Sequence, residues 1–365
     1  MTLPPSARWS TSTSKLMNTT RQNQDAKIAR SISRREFIKL WGAGILGFLL
    51  PGEHSDQKTP LEQQGRVLED GIQLYDIPSF HGRELQKFWK DMVVPISEAT
   101  IGDSEPAHNR VWYAINGEGF VHSGSIQPVS TELNPELADI PNGGTVAEVT
   151  VPYTDAHWRP DKKYTVAYRL YYETTHWVTG LVYDNLGQAW YRIAEDKWKL
   201  KYFAPATHLR ILPAEELNPI SPDLPPFAKR IEVRTQEQVV IAYEWDQPVF
   251  MAKTATGAQF SNGNFATPPG RHITAHKRPS RHMAAGNLAY NGYDLPGVPW
   301  ICYITESGIS FHGTYWHNNY GRPRSHGCIN LSPKAAKWIY LWTMPMVPPR
   351  DQFIRKDFGT IVDVI

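Results

Sequence analysis

Hydrophobic and polar residues alternate with period two along most of the chain, in short runs cut by glycine, proline and asparagine. "RVLEDGIQLYDIPS" alternates on both sides of Asp70-Gly71, and "RVWYAINGEGFVHSGSIQPV", Arg110 to Val129, reads as a hairpin about Asn116-Gly117-Glu118-Gly119. A looser echo runs from Gln188 to Leu212. Trp112-Tyr113 and Trp190-Tyr191 lie 78 residues apart, each followed by a turn and a second strand. The pattern predicts two duplicated small β-barrels, over 65–129 and 143–213, with Trp112, Tyr113, Trp190 and Tyr191 filling their cores. "NPISPDLPP", Asn218 to Pro226, interrupts regular structure. Strands resume in 227–365, beginning with a hairpin about Gln236-Glu237-Gln238. One helix is predicted there, "SPKAAKWIYLW", with Ser332 as N-cap and Pro333 as first helical residue. The chain is therefore mainly β, and its last domain holds one or two helices.

The N-terminus breaks this pattern. "SRREFIK" precedes eleven apolar residues, Leu40 to Leu50, far short of the roughly 20 that span a bilayer but long enough for the core of a signal segment. The pair Arg34-Arg35 with Phe37 resembles the bacterial twin-arginine export signal, so 1–50 is expected to direct export to the cell envelope, followed by a linker over 51–64. Met17 would give a more usual leader length. The first alanine after Ala43 is Ala99, so the expected cleavage pattern is missing and the segment is a candidate weak membrane anchor.

The leader also explains the charge. Of a formal net +2, residues 1–50 hold eight Lys/Arg against two acids, leaving 30 basic and 34 acidic residues beyond them. Such a body lacks the footprint of a nucleic-acid-binding protein.

The candidate chemistry lies in "SGISFHGTYWHNNYGRPRSHGCIN", Ser307 to Asn330. It contains one of only two cysteines, three histidines and no carboxylate. A cysteine acts as nucleophile through its thiolate, whose pKa of about 8.5 falls near positive charge or a helix N-terminus. A histidine within reach can take the thiol proton and return it to a leaving amine. His326, two residues before Cys328, would share its face in an extended segment, and His312, ending the alternating "GISFHG", could face it from a neighbouring strand. A zinc site from His312, His317, His326 and Cys328 has suitable donors, but the spacing fits no common finger and the flanking arginines oppose a cation. A disulfide between Cys302 and Cys328 would silence the nucleophile. Cys302 is better placed inside "WICYI", and His317 at a rim or in the core.

His312-Gly313 followed by "SHGCIN", with "ATPPGRHI" and "GVPWICYITESGISFHG" upstream, resembles the signature of L,D-transpeptidase catalytic domains over about 228–365. The resemblance implies a β-sandwich, a cysteine acyl-enzyme on peptidoglycan stem peptides and no cofactor. It implies Cys328 as nucleophile, His312 as proton carrier and the Gly313 carbonyl as the group that fixes the His312 ring. Ser325, His326 and Gly327 would shape the pocket and oxyanion site, with Trp316 and Asn330 lining the groove. Arg322 and Arg324 are candidate attractors of peptide carboxylates. The earlier barrels resemble bacterial SH3-like domains, which often accompany cell-wall enzymes. The chemistry would then lie within 227–365, and a fragment starting near Phe227 would fold and acylate alone. The alternatives are an L,D-carboxypeptidase, with water as acceptor, and a non-catalytic wall-binding protein.

Overall fold

The computed structural model describes residues 63–261, 263–288 and 292–365. The leader and nearly all of the 51–64 linker lie outside the described residues. Among those described, no helix is long and apolar enough to cross a membrane.

The first module is built on Gln64–Val67, which pairs antiparallel with Val93–Pro95 on one edge and Ile126–Val129 on the other. A second sheet runs Glu84–Phe88, Ile72–Tyr75, Gly119–His122, Val111–Ile115, Glu98–Ile101. Val67, Leu74, Phe88, Ile115, Val121 and Ile126 bury their side chains in its core. The hairpin expected over Arg110–Val129 is shorter than its alternation suggested. Val111–Ile115 pairs with Gly119–His122, and a 3-10 turn at Ser123–Ser125 then carries Ile126–Val129 across to the other sheet. The His122 ring stabilises that turn, accepting from the Gly124 N–H at 3.3 Å.

The second module repeats the sequence of events. Ala189–Ala194 pairs with Lys201–Pro205, a 3-10 turn follows at Ala206–His208, and Leu209–Ile211 crosses to pair with Thr145–Val149. Trp112, Trp190 and Tyr191 are fully buried, as core residues should be, while Tyr113 is half-buried.

Beyond the proline-rich segment two five-stranded sheets face each other. One runs Gln247–Lys253, Val239–Glu244, Lys229–Arg234, Ile361–Val364, Gly270–Ile273. The other runs Ile329–Leu331, Ser310–Gly313, Tyr293–Tyr303, His276–Ala285, Ile354–Arg355. Strict alternation in Lys229–Arg234 sends Ile231 and Val233 inward. There they meet Trp300, Cys302, Phe311, Ile329 and Leu331 of the opposite sheet, and Ala336, Ile339, Tyr340 and Trp342 of the helix Pro333–Trp342. Ser332 caps that helix, accepting from the Ala335 N–H at 3.3 Å, with Pro333 in its first turn.

This core does not stop at the proline-rich segment. Val146, Trp177, Leu212 and Leu217, all from before that boundary, belong to the same buried cluster. Polar contacts run alongside. Thr175 Oγ1 donates to the Pro279 carbonyl at 2.7 Å, and Asp196 pairs with Arg278 at 3.0 Å and Arg281 at 2.5 Å. The segment 218–226 connects two modules that share one interior, so the residues before Phe227 complete the sandwich.

Candidate active site

Three neighbouring elements set the site. Ser310–Gly313 is a central strand, antiparallel to Tyr293–Tyr303 and parallel to Ile329–Leu331, in a register that places His312 opposite Asn330. Cys328 immediately precedes the latter strand. The sequence keeps these elements close by using glycine where a side chain would not fit. A Cβ on Gly313 would lie 2.7 Å from Pro299 Cγ and 2.9 Å from Pro333 Cα, so the strand can approach the helix start only without one.

The His312 ring is buried, and its Nδ1–H donates to the Gly313 carbonyl at 3.0 Å. That bond leaves Nε2 as the acceptor, on a ring close enough to the Cys328 thiol to lower it. A backbone oxygen thus fixes the imidazole in a segment without carboxylates. Burial pushes the thiol up, but the neighbouring His312 ring, with contacts from Ser310, more than offsets it, and the thiol sits below its ordinary value. Ser310 Oγ lies 3.8 Å from Cys328 Sγ. Sequence reasoning missed Ser310. Its signal was the alternation of "GISFHG", which puts Ser310 and His312 on one face.

The turn before Cys328 is tightly held. Ser325 Oγ donates to the Cys328 carbonyl at 2.5 Å and accepts from the Gly327 N–H at 3.2 Å. Gly327 has φ +110°, a conformation that strongly favours glycine. Thr267 Oγ1 donates to the Gly327 carbonyl at 2.8 Å and accepts from the Gly257 N–H at 2.9 Å. The Thr-Pro motif therefore serves as a clamp on the cysteine turn, a role its sequence did not disclose.

Four expectations change. His326 does not face Cys328, because the left-handed Gly327 breaks the extended period between them. Its exposed ring instead stacks on Phe260, with centroids 4.7 Å apart, and meets Phe265 edge-on at 4.6 Å. Asn330 does not line a groove. It is 3% exposed, and its Nδ2 donates to His317 Nε2 at 3.0 Å beneath the loop that follows His312. The Ser325 and Gly327 N–H groups are occupied, by the Thr256 carbonyl and by Ser325 Oγ, so neither is available to an oxyanion. Arg324 has a carboxylate partner after all. Glu69 reaches it from the first module at 2.6 Å.

The other candidates lie as follows. Trp316 is half-buried, with its ring centroid 5.7 Å from that of His312. Arg322 is exposed. His317 is buried and held neutral, pushed down to about 3 by burial and the nearby arginines. Cys302 is fully buried, Cys328 is partly exposed, and both are free thiols. Tyr293 lies near enough for the Cys328 charge to raise its phenol, although burial is the larger cause.

Residues 228–362 match the family model described as the L,D-transpeptidase catalytic domain. This segment belongs to the L,D-transpeptidase family. A curated relative, L,D-transpeptidase 2 of Mycobacterium tuberculosis, is 24% identical over 275 residues, a match taking in 67% of this chain and 56% of that protein. Solved structures similar to the chain include an L,D-transpeptidase from Mycobacterium smegmatis (18% identity, 48% of this chain and 90% of that one, TM-score 0.31). Another is the catalytic domain of the Enterococcus faecium L,D-transpeptidase (23% identity, 38% of this chain and 96% of that one, TM-score 0.29). Within the L,D-transpeptidase segment, the matched residues include His312, Cys328 and the turn that joins Ser325 to it.

Proposed function

We propose that the protein is a peptidoglycan L,D-transpeptidase acting through a thioester on Cys328. The observation that carries this reading is the Cys328 thiol lowered by the neighbouring His312 ring, with the imidazole oriented by the Gly313 carbonyl. In the first half-reaction His312 Nε2 takes the thiol proton, and the sulfur attacks the carbonyl between an L-centre and the terminal D-residue of a donor stem peptide. The carbon–nitrogen bond breaks, His312 returns the proton to the leaving nitrogen, and a D-amino acid departs. In the second half an amine on a neighbouring stem attacks the thioester, gives its proton to His312 and releases Cys328 as the thiol. The His326 and Cys328 N–H groups, which unlike those of Ser325 and Gly327 have no acceptor among the described residues, would stabilise the oxyanion. No cofactor is needed for this chemistry. In this reading Trp316, beside the His312 ring, meets the substrate and the exposed Arg322 attracts its carboxylate, with Arg324 contributing only if it leaves Glu69.

The test is incubation with tetrapeptide donor, with and without an amine acceptor, read by mass. A cross-linked dimer with loss of one D-amino acid is expected; tripeptide alone in both arms would assign water as acceptor and an L,D-carboxypeptidase. Export by the twin-arginine route is part of the same proposal. Replacing Arg34 and Arg35 with Lys keeps charge but removes the guanidinium fork and should retain folded protein in the cytoplasm; unchanged envelope localisation would refute it.

A further inference from the structure

One arginine of the first module reaches the segment that orients the catalytic histidine. The Arg66 side chain is 1% exposed. Its Nη2 donates to the Tyr315 carbonyl at 2.5 Å and to Gln127 Oε1 at 2.7 Å, and its Nη1 pairs with Asp91 at 2.9 Å. The guanidinium lies over the Tyr171 ring, 4.2 Å from the centroid, and that ring stacks on Tyr315 at 5.1 Å. Asp91 is gripped a second time by Arg169 of the second module at 3.1 Å. All three parts of the chain thus meet at one ion cluster, centred on a buried guanidinium whose further bond goes to the backbone of Tyr315.

Tyr315 sits two residues after Gly313, whose carbonyl holds the His312 ring, and immediately before Trp316, which packs near that ring. The same loop is tied down further along. Asn318 Nδ2 donates to the Ser123 and Ile126 carbonyls at 3.2 and 3.0 Å, and Asn319 meets His108 at 2.8 Å. A buried guanidinium does not leave such a position freely, since breaking one partner strands the charge. The placement of the Gly313–Trp316 peptide is therefore decided partly from 249 residues upstream.

We infer that Arg66 is a positioning residue for the His312–Cys328 pair, acting through the Tyr315 carbonyl, and that the first module completes the active site as well as any surface of its own. The inference deepens the proposed function and rests on it for the role of His312. It requires that loss of Arg66 change the ionisation of a thiol in another module, which a merely stabilising residue would not do.

The experiment uses the full chain carrying Cys302→Ala, so that Cys328 is the single thiol. Its alkylation by iodoacetamide is followed as a function of pH, and its acylation by a carbapenem is timed. Arg66→Ala should raise the pH midpoint of alkylation by about one unit. It should also slow acylation about tenfold, part of the roughly 10²–10⁴ that a positioned base contributes. Arg66→Lys keeps a donor for Tyr315 without the fork and should recover part of both effects. A folded Arg66→Ala protein with the parent's midpoint and acylation rate would overturn the inference. Should that variant lack a cooperative melt, Asp91→Asn, which leaves Arg66 in place but loosens it, is expected to shift the midpoint in the same direction, and an unshifted midpoint would count equally against it. Alkylation needs no substrate, so this arm decides the role of Arg66 even if stem peptides fail to acylate the parent chain, an outcome that would refute the proposed function alone.

Discussion

Trp177 gives the sharpest test of the shared interior. It comes from the second module, is 5% exposed, donates its Nε1–H to the Gly143 carbonyl at 2.8 Å, and packs in the cluster that holds Trp300, Phe311 and Cys302. Truncating such a side chain to alanine costs about 3–5 kcal/mol, from lost transfer energy and the cavity left behind. Cys302 supplies a reporter on the far side of the proline-rich segment, because its fully buried thiol reacts only when the sandwich opens. In a Cys328→Ser background, labelling of Cys302 by a thiol reagent under native conditions tracks the opening equilibrium when reclosing is fast. With tenfold per 1.4 kcal/mol, Trp177→Ala should accelerate that labelling by roughly two to three and a half orders of magnitude. If the second module and the sandwich were independent domains, the substitution would destabilise only its own module. Unchanged Cys302 labelling, alongside a weakened second module, would refute the common core. The same reasoning revises the expectation that a fragment starting near Phe227 is self-sufficient. Without Val146, Trp177, Leu212 and Leu217 it would expose an apolar face, each such side chain being worth about 1.5–3 kcal/mol. Against a total stability of about 5–15 kcal/mol, that loss is decisive.

Two further predictions concern the cysteine turn and the thiol. Thr267→Val keeps the shape of the side chain but leaves the Gly327 carbonyl and the Gly257 N–H unpaired, which costs about 1–3 kcal/mol for each group. Urea unfolding should show the loss and acylation should slow with it; a variant matching the parent in both would remove Thr267 from the account. The Cys328 thiol is held below its ordinary value, so its alkylation rate should rise with pH through a midpoint under about 8.5, the value of a free cysteine. Ser310→Ala removes one of the lowering contacts and should move that midpoint upward; a downward shift would contradict the assignment. By linkage, the depressed thiol adds stability that is fully present above the unfolded-state midpoint and is lost as pH falls through the folded one.

What the sequence disclosed was local. Alternation gave Lys229–Arg234 and Val239–Glu244 with their turn, and Ser332-Pro333 marked the helix start, because each is decided by a few adjacent residues. Cys328 and His312 stood out for the same reason, since the residues around them carry the signal. The direction of His326 was misread because one glycine, Gly327 at φ +110°, cancels the period that a strand would impose. Asn330 was placed on a groove because its partner His317 lies on a loop whose path cannot be inferred from alternation. Hidden altogether were contacts that close over long stretches of chain. Nothing near Arg66 announces a carbonyl at Tyr315, nor does anything near Trp177 announce Trp300. Such partners are chosen by packing after the modules form.

The account stands most directly on the identity of the acylated atom. The full chain, exposed to a tetrapeptide donor or a carbapenem and digested, should carry one acyl group per molecule, on the peptide containing Cys328. Cys302→Ala should leave that adduct and its rate largely intact, and Cys328→Ala should abolish it while the protein keeps its cooperative melt. An adduct mapped to any other residue, or acylation surviving in Cys328→Ala, would contradict the account.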